Sequence, residues 1–341
     1  MQLSHTPEAS RRLAYVDLAK CVALCLIIIA HTQWYVRVSF FDDMRLITFW
    51  ICAGFTSRPD VNLKRKSRLI VNYFVMTAIC MIVSVFYFKL PFSPFDLTGA
   101  LYARFCLYPD PFAPGNTALM PLCNSVLWFL PALFTSYCLF KIIMMLRGFG
   151  RQAAACAVSI AIGSALTLLP FLLPWSADSA FIFAVFMCMG QWVRKYDLFR
   201  HVRLPLAIAC LILYAVLAHF TGYINLSIRN YGNCWPLLLP TAFFGVLTLL
   251  LLCRYLENTW IARIAVEFNS QALFIFGMQL VFIGLADQWF GSAISDWKLR
   301  VGATVALCFI GGWLTGRLYN LIISVVKCLW FRTLTKNGSG F

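Results

Sequence analysis

The sequence predicts an all-α fold, a polytopic integral membrane helix bundle of about ten transmembrane helices, from three observations. Of its 341 residues 61% are hydrophobic and only 12% charged, which lies outside the soluble range. Predominantly apolar runs long enough to cross about 30 Å of hydrocarbon recur along it. Lys and Arg gather on alternate connections between those runs, as the positive-inside rule requires.

The first run, 14–35, follows a short tail, 1–13. It is too long for the apolar core of a signal peptide and lacks a small-residue cleavage site. Long runs follow at 67–88, 125–146, 153–174, 204–221, 236–253, 268–286 and 301–325, and the shorter Met44–Thr56 and Ala177–Val193 complete ten. Met44–Thr56 is amphipathic and marginal in length, so a re-entrant segment competes there with a full crossing. About twenty Lys and Arg, among them Lys64, Arg65, Lys66 and Arg68, fall on one set of connections against seven on the other. Both termini are therefore expected on the cytoplasmic side of the membrane. The segment 14–325 is then the embedded domain and 326–341 a second tail, whose TLTKNGSGF end reads as disordered.

This topology also accounts for the net charge of +15, so no nucleic-acid partner is implied. Fourteen cysteines, without a CxxC pair, sit mostly in apolar runs. Cysteine behaves there as a small hydrophobe, and no metal site is expected. The connection Lys89–Asn124, rich in proline and aromatics, is the longest on the outer side, and such loops carry function.

Chemistry concentrates in the first run, where Asp17, Lys20 and His31 share nearly one helix face. Lys20 and His31 are eleven residues apart, roughly 16 Å along the axis. A charge at membrane depth costs at least ~2.5 kcal/mol, so this stripe should face a bundle interior or a water-filled cavity. The plainer alternative pairs Asp17 with Lys20 and leaves His31 at the interface. Imidazole suits general-base work near neutral pH. Arg65 and Arg68, three apart, point one way on a helix and match phosphate oxygens bidentately; contact with lipid phosphates explains the same cluster less specifically.

These residues, with FWICAGF at Phe49–Phe55, LWFLPAL at Leu127–Leu133 and the late segment NSQALFIFGMQL, resemble acyltransferase family 3 over roughly residues 13–325. The resemblance implies a membrane O-acyltransferase that transfers an acetyl group from cytoplasmic acetyl-CoA to a hydroxyl of a sugar, in a cell-surface polysaccharide or a lipid-linked glycan. It implies a place in a bacterial inner membrane, His31 as general base and Asp17 as the catalytic residue that holds Lys20 in place, with Lys20, Arg65 and Arg68 at the coenzyme phosphates and Trp128 and Gln279 at the acceptor. Three positions depart from the family's pattern: Lys20 where arginine is common, Ala53 where serine is usual, and Gln279 where many relatives have a second histidine. The rival class is a proton-coupled transporter or flippase of a lipid-linked or anionic substrate, with Asp17, Lys20 and His31 as a proton relay. The repeats and paired broken helices typical of that class are not evident. Expected partners are acyl-CoA, a glycan acceptor and membrane lipids, and the oligomeric state stays open.

Overall fold

Long apolar runs in lipid must satisfy their own backbone hydrogen bonds, and a helix does so within one segment. The computed structural model describes residues 13–32, 39–110, 118–120, 122–198 and 204–337, and these are helical with no strand among them. In chain order the helices are α1 (Ala14–His31), α2 (Asp42–Arg45), α3 (Ile47–Thr56), α4 (Leu63–Lys66), α5 (Arg68–Phe86), α6 (Pro94–Tyr102), α7 (Phe129–Met145), α8 (Phe149–Ala165), α9 (Ala177–Lys195), α10 (Leu204–Thr221), α11 (Leu238–Tyr255), α12 (Trp260–Asn269), α13 (Ala272–Phe290) and α14 (Trp297–Asn337). Nine spans among the described residues are long and apolar enough to cross a membrane, α4 and α5 forming one of them together. Arg11, Arg12, Arg37, Arg200 and Arg203, which enter the topology reading, lie outside the described residues.

Met44–Thr56 is a different object from the other runs. It breaks at Leu46, and α3 has ten residues, about 15 Å of rise or half a hydrocarbon core. Every residue from Ile47 to Phe55 is buried. A short helix is tolerated at membrane depth when protein surrounds it, and α9 supplies that surround. A Cβ on Gly54 would stand 1.8 Å from the Met187 carbonyl oxygen, and one on Gly190 would stand 2.0 Å from that of Ile51. Only glycine permits either approach. Trp50 of α3 donates its indole N–H to Ser136 Oγ of α7 (3.2 Å) and stacks on Phe183 of α9 at 4.0 Å, so α3 is wedged between α7 and α9. At its last turn Arg194 of α9 donates to the Phe55 carbonyl at 3.3 Å, which meets the need of a helix end for partners.

Two further elements position the site. α12 exposes Trp260, Ile261 and Ile264 and buries Ala262 and Ala265 against α1, and its end carries Asn269 to Asp17. α6 begins the long outer connection with a capping box of Ser93 and Asp96 and Pro94 in its first turn, a self-contained start signal. The carboxyl end corrects one expectation: α14 runs 41 residues, about 60 Å, so residues 333–337 are helical rather than disordered. Nothing in TLTKN breaks a helix before Gly338.

The glycine contact yields a direct expectation. Gly190→Ala must push α3 off α9, at a cost of about 1–3 kcal/mol, and should lower the midpoint of thermal unfolding in detergent by several degrees. Gly302→Ala, whose Cβ meets nothing within 4 Å, is the control. Equal midpoints for the two variants would show that the crossing tolerates separation.

Candidate functional site

The two ends of α1 open into two cavities. At the Lys20 end a cavity of about 660 Å³ is walled by residues of α1, α3, α4, α5, α7, α12, α13 and α14. Its cations are Lys20, Lys66, Arg68 and Lys327, and no carboxylate lines it. Lys66 Nζ donates to Tyr137 Oη at 2.9 Å. Ser270, Gln271, Ala272 and Leu273 add the amino end of α13 to the wall, where first-turn N–H groups lack intrahelical partners and the helix dipole favours an anion. The cavity wall is therefore cationic, with a chemistry suited to an anion of several charges.

The residues expected at a phosphate clamp divide here. Lys20 and Arg68 meet in the wall, whereas Arg65 is exposed on α4 and does not line it. The reason is local. Asn62 accepts from the backbone N–H of Arg65 and starts α4, a turn at Ser67 interrupts the helix, and the phase of 65 relative to 68 is lost. Lys66 takes the inward direction instead. Asp17 is buried behind this end of α1 and accepts from the Asn269 amide; Asn269 itself lines the cavity. Asp17 and His31 are fourteen residues apart on α1, about 21 Å of rise, and lie at opposite ends.

At the other end a cavity of about 330 Å³ surrounds His31. His31 Nδ1 lies 2.7 Å from the Ile27 carbonyl oxygen. A carbonyl only accepts, so Nδ1 carries the proton and the neutral ring keeps a lone pair on Nε2. The ring is exposed to this cavity. Beside it Asp42 and Arg45, three apart on α2, form an ion pair at 2.9 Å. Burial pushes the Asp42 carboxyl up to about 6 against the pull of Arg45, and burial together with the charge of Asp42 pushes Asp43 up to about 7. Trp128, Phe105 and Phe276 give the wall aromatic faces, and Ser125, Asn225 and Ser227 give it polar ones. Gln279 is fully buried on α13 one turn beyond Phe276 and is not in the wall. Neither of its amide atoms has a hydrogen-bond partner among the described residues.

Sequence reading missed Lys66, Lys327, Asp42 and Arg45. The signal for the last two is present as DDMR, an acid and an arginine three apart at the start of an apolar run. A family model described as an acyltransferase domain matches residues 13–325. No curated protein matches the chain.

The rim of the His31 cavity is held by a buried ionic cluster. Arg104 grips Asp178 through Nη2 at 2.8 and 2.9 Å, and Arg229 reaches the same carboxylate at 3.1 Å. Arg229 also donates to the carbonyls of Leu166 and Leu169 at 2.8 and 2.6 Å. Ala103, Trp175, Ser176 and Arg229 have left-handed backbones with φ of 55–62°, each costing about 1–3 kcal/mol, and all lie within three residues of a cluster member. The cluster thus holds a strained rim in place, from which Phe105, Asn225 and Ser227 face the cavity. Asp178→Ala leaves two buried guanidinium groups uncompensated and should cost about 3–5 kcal/mol, read as loss of folded protein or a large fall in unfolding temperature. A variant that melts with wild type would show that the backbone carbonyls suffice.

Proposed function

The chain belongs to acyltransferase family 3, and from that premise we propose that it is a membrane O-acyltransferase carrying an acetyl group from cytoplasmic acetyl-CoA to a hydroxyl of a glycan at the outer face of a bacterial inner membrane. What chiefly supports the reading is the pairing of an acid-free cationic cavity with a histidine cavity at opposite ends of one helix. Lys20, Lys66 and Arg68 neutralise the coenzyme phosphates, Arg65 stands outside the wall, and the amino end of α13 adds backbone donors. Asp17 positions Asn269 in the same wall. The basic connections orient this end towards the cytoplasm, with both termini on that side. The rise of roughly 16 Å from Lys20 to His31 approximates the reach of an extended pantetheine arm.

At the far end His31 Nε2 takes the proton of the attacking hydroxyl as its oxygen bonds to the thioester carbonyl carbon. The C–S bond breaks, and the proton is returned to the departing thiolate. The acceptor wall suits a polyol. Asp42, Asn225 and Ser227 offer partners for ring hydroxyls, and Trp128 and Tyr223 offer surface for the C–H face of a pyranose. Gln279, buried behind Phe276 and outside the wall, makes no contact with the acceptor in this arrangement. Because donor and acceptor enter from opposite sides, the acyl group crosses without the coenzyme.

Two substitutions separate the ends. His31→Gln keeps size and hydrogen bonding but accepts no proton, and should slow transfer about 10²–10⁴-fold with donor affinity unchanged; retained transfer would refute the base. Arg68→Ala should weaken acetyl-CoA binding by about 1.5–3 kcal/mol, measured by titration calorimetry, and Arg65→Ala by clearly less. The reverse ranking would move the clamp outside the cavity.

A further inference from the structure

We infer that three phenylalanines, Phe49, Phe129 and Phe276, form the partition through which the acyl group passes and set the longest acyl chain the protein accepts, an inference that rests on the acyltransferase reading. The two cavities share no lining residue. The boundary runs between residues one or two apart in the chain. Trp128 faces the His31 side and Phe129 the Lys20 side, Phe276 the His31 side and Phe274 the Lys20 side. The three rings close the gap, with centroids 4.9 Å apart for Phe129 and Phe276, 5.7 Å for Phe49 and Phe129, and 6.3 Å for Phe49 and Phe276.

The rings are not equally held. Phe129 lies edge-on to Trp50 at 4.8 Å, and Trp50 is itself fixed by Ser136 and by stacking on Phe183. Phe49 and Phe276 are buried in the core too, at 9% and 3% exposure against 1% for Phe129, but among the described residues their ring contacts lie only within the trio. An acyl group that reaches His31 therefore displaces Phe49 and Phe276 and comes to rest against the fixed ring of Phe129. The His31 cavity, about 330 Å³ in all, must also take the acceptor ring. A methyl fits that arrangement, and each further methylene meets aromatic carbon.

The test measures the affinity of coenzyme A, acetyl-CoA, butyryl-CoA and octanoyl-CoA for the purified full-length protein in detergent. Wild type should bind the first two alike and butyryl-CoA roughly tenfold or more weakly, the scale on which added methylenes are discriminated. Phe276→Ala should bring butyryl-CoA to the affinity of acetyl-CoA and leave coenzyme A unchanged; Phe276→Leu, which keeps most of the packing, should move the same way by less and serves if the alanine variant misfolds. Wild type that binds coenzyme A but treats all acyl lengths equally overturns the partition alone, as does a length profile that neither variant shifts. Wild type that does not bind coenzyme A overturns the donor reading of the cavity, and the partition with it.

Discussion

The contact on which both cavities depend is the backbone crossing of α3 and α9 at Gly54 and Gly190. In lipid no hydrophobic effect drives helices together, so close backbone approach, which small residues permit, takes its place. α3 needs that help because ten residues give it neither the length nor the anchors of a crossing helix. Once seated, it serves both sites: Leu46, just ahead of its first turn, reaches the His31 cavity, and Phe49, Ala53 and Thr56 reach the Lys20 cavity. Its own hydroxyls are consumed locally, Thr48 donating to Met44 at 2.6 Å and Thr56 to Cys52 at 2.8 Å. The helix therefore carries shape between the cavities and no charge.

Charge is treated oppositely at the two ends, and the contrast separates binding from scaffolding. Arg104 and Arg229 are buried and held by Asp178, by Ser176 Oγ and by carbonyls, and neither lines the His31 cavity or the Lys20 cavity. Lys20, Lys66, Arg68 and Lys327 surround open space without an acid among the lining residues. Cations gathered without counter-ions repel one another, and such a cluster is most stable when an anion occupies it. The same logic applies to Asp42 and Arg45, which neutralise each other beside His31 and leave a wall of low net charge, which under the proposed reading suits hydroxyls rather than a second phosphate.

The helices were legible because hydropathy and positive charge report on lipid, an environment each residue meets locally. α1, with its Asp17, Lys20 and His31 stripe, was legible for the same reason. Long-range partners were not: Arg104 and Arg229 come from two connections and Asp178 from the first turn of α9, with no shared period, and α6 hides among prolines. The phase of Arg65 was lost at Ser67, where Asn62 begins a helix that a continuous apolar count runs straight through. Lys327 lies on the last described turns of a helix whose apolar run ends earlier, so only the bundle brings it beside Lys20.

The departures at Lys20 and Ala53 act on one wall and in one direction. An arginine at 20 would offer a planar fork, and a serine at 53 a hydroxyl; lysine and alanine supply a compact charge and a methyl. Thr56, one turn on, does not restore the lost donor, because its hydroxyl hydrogen is already given to Cys52. Lys66 has one of its three hydrogens on Tyr137. Recognition of an anion in this wall thus leans on Coulomb attraction and on the fixed N–H groups of α13 more than on directed side-chain bonds. Coulomb attraction at a partly open site is screened over about 8 Å at physiological ionic strength, whereas backbone donors are not redirected by salt. Donor affinity should accordingly fall with added salt to a floor set by the α13 end, and a Lys20→Arg change, restoring the fork, should make that fall shallower.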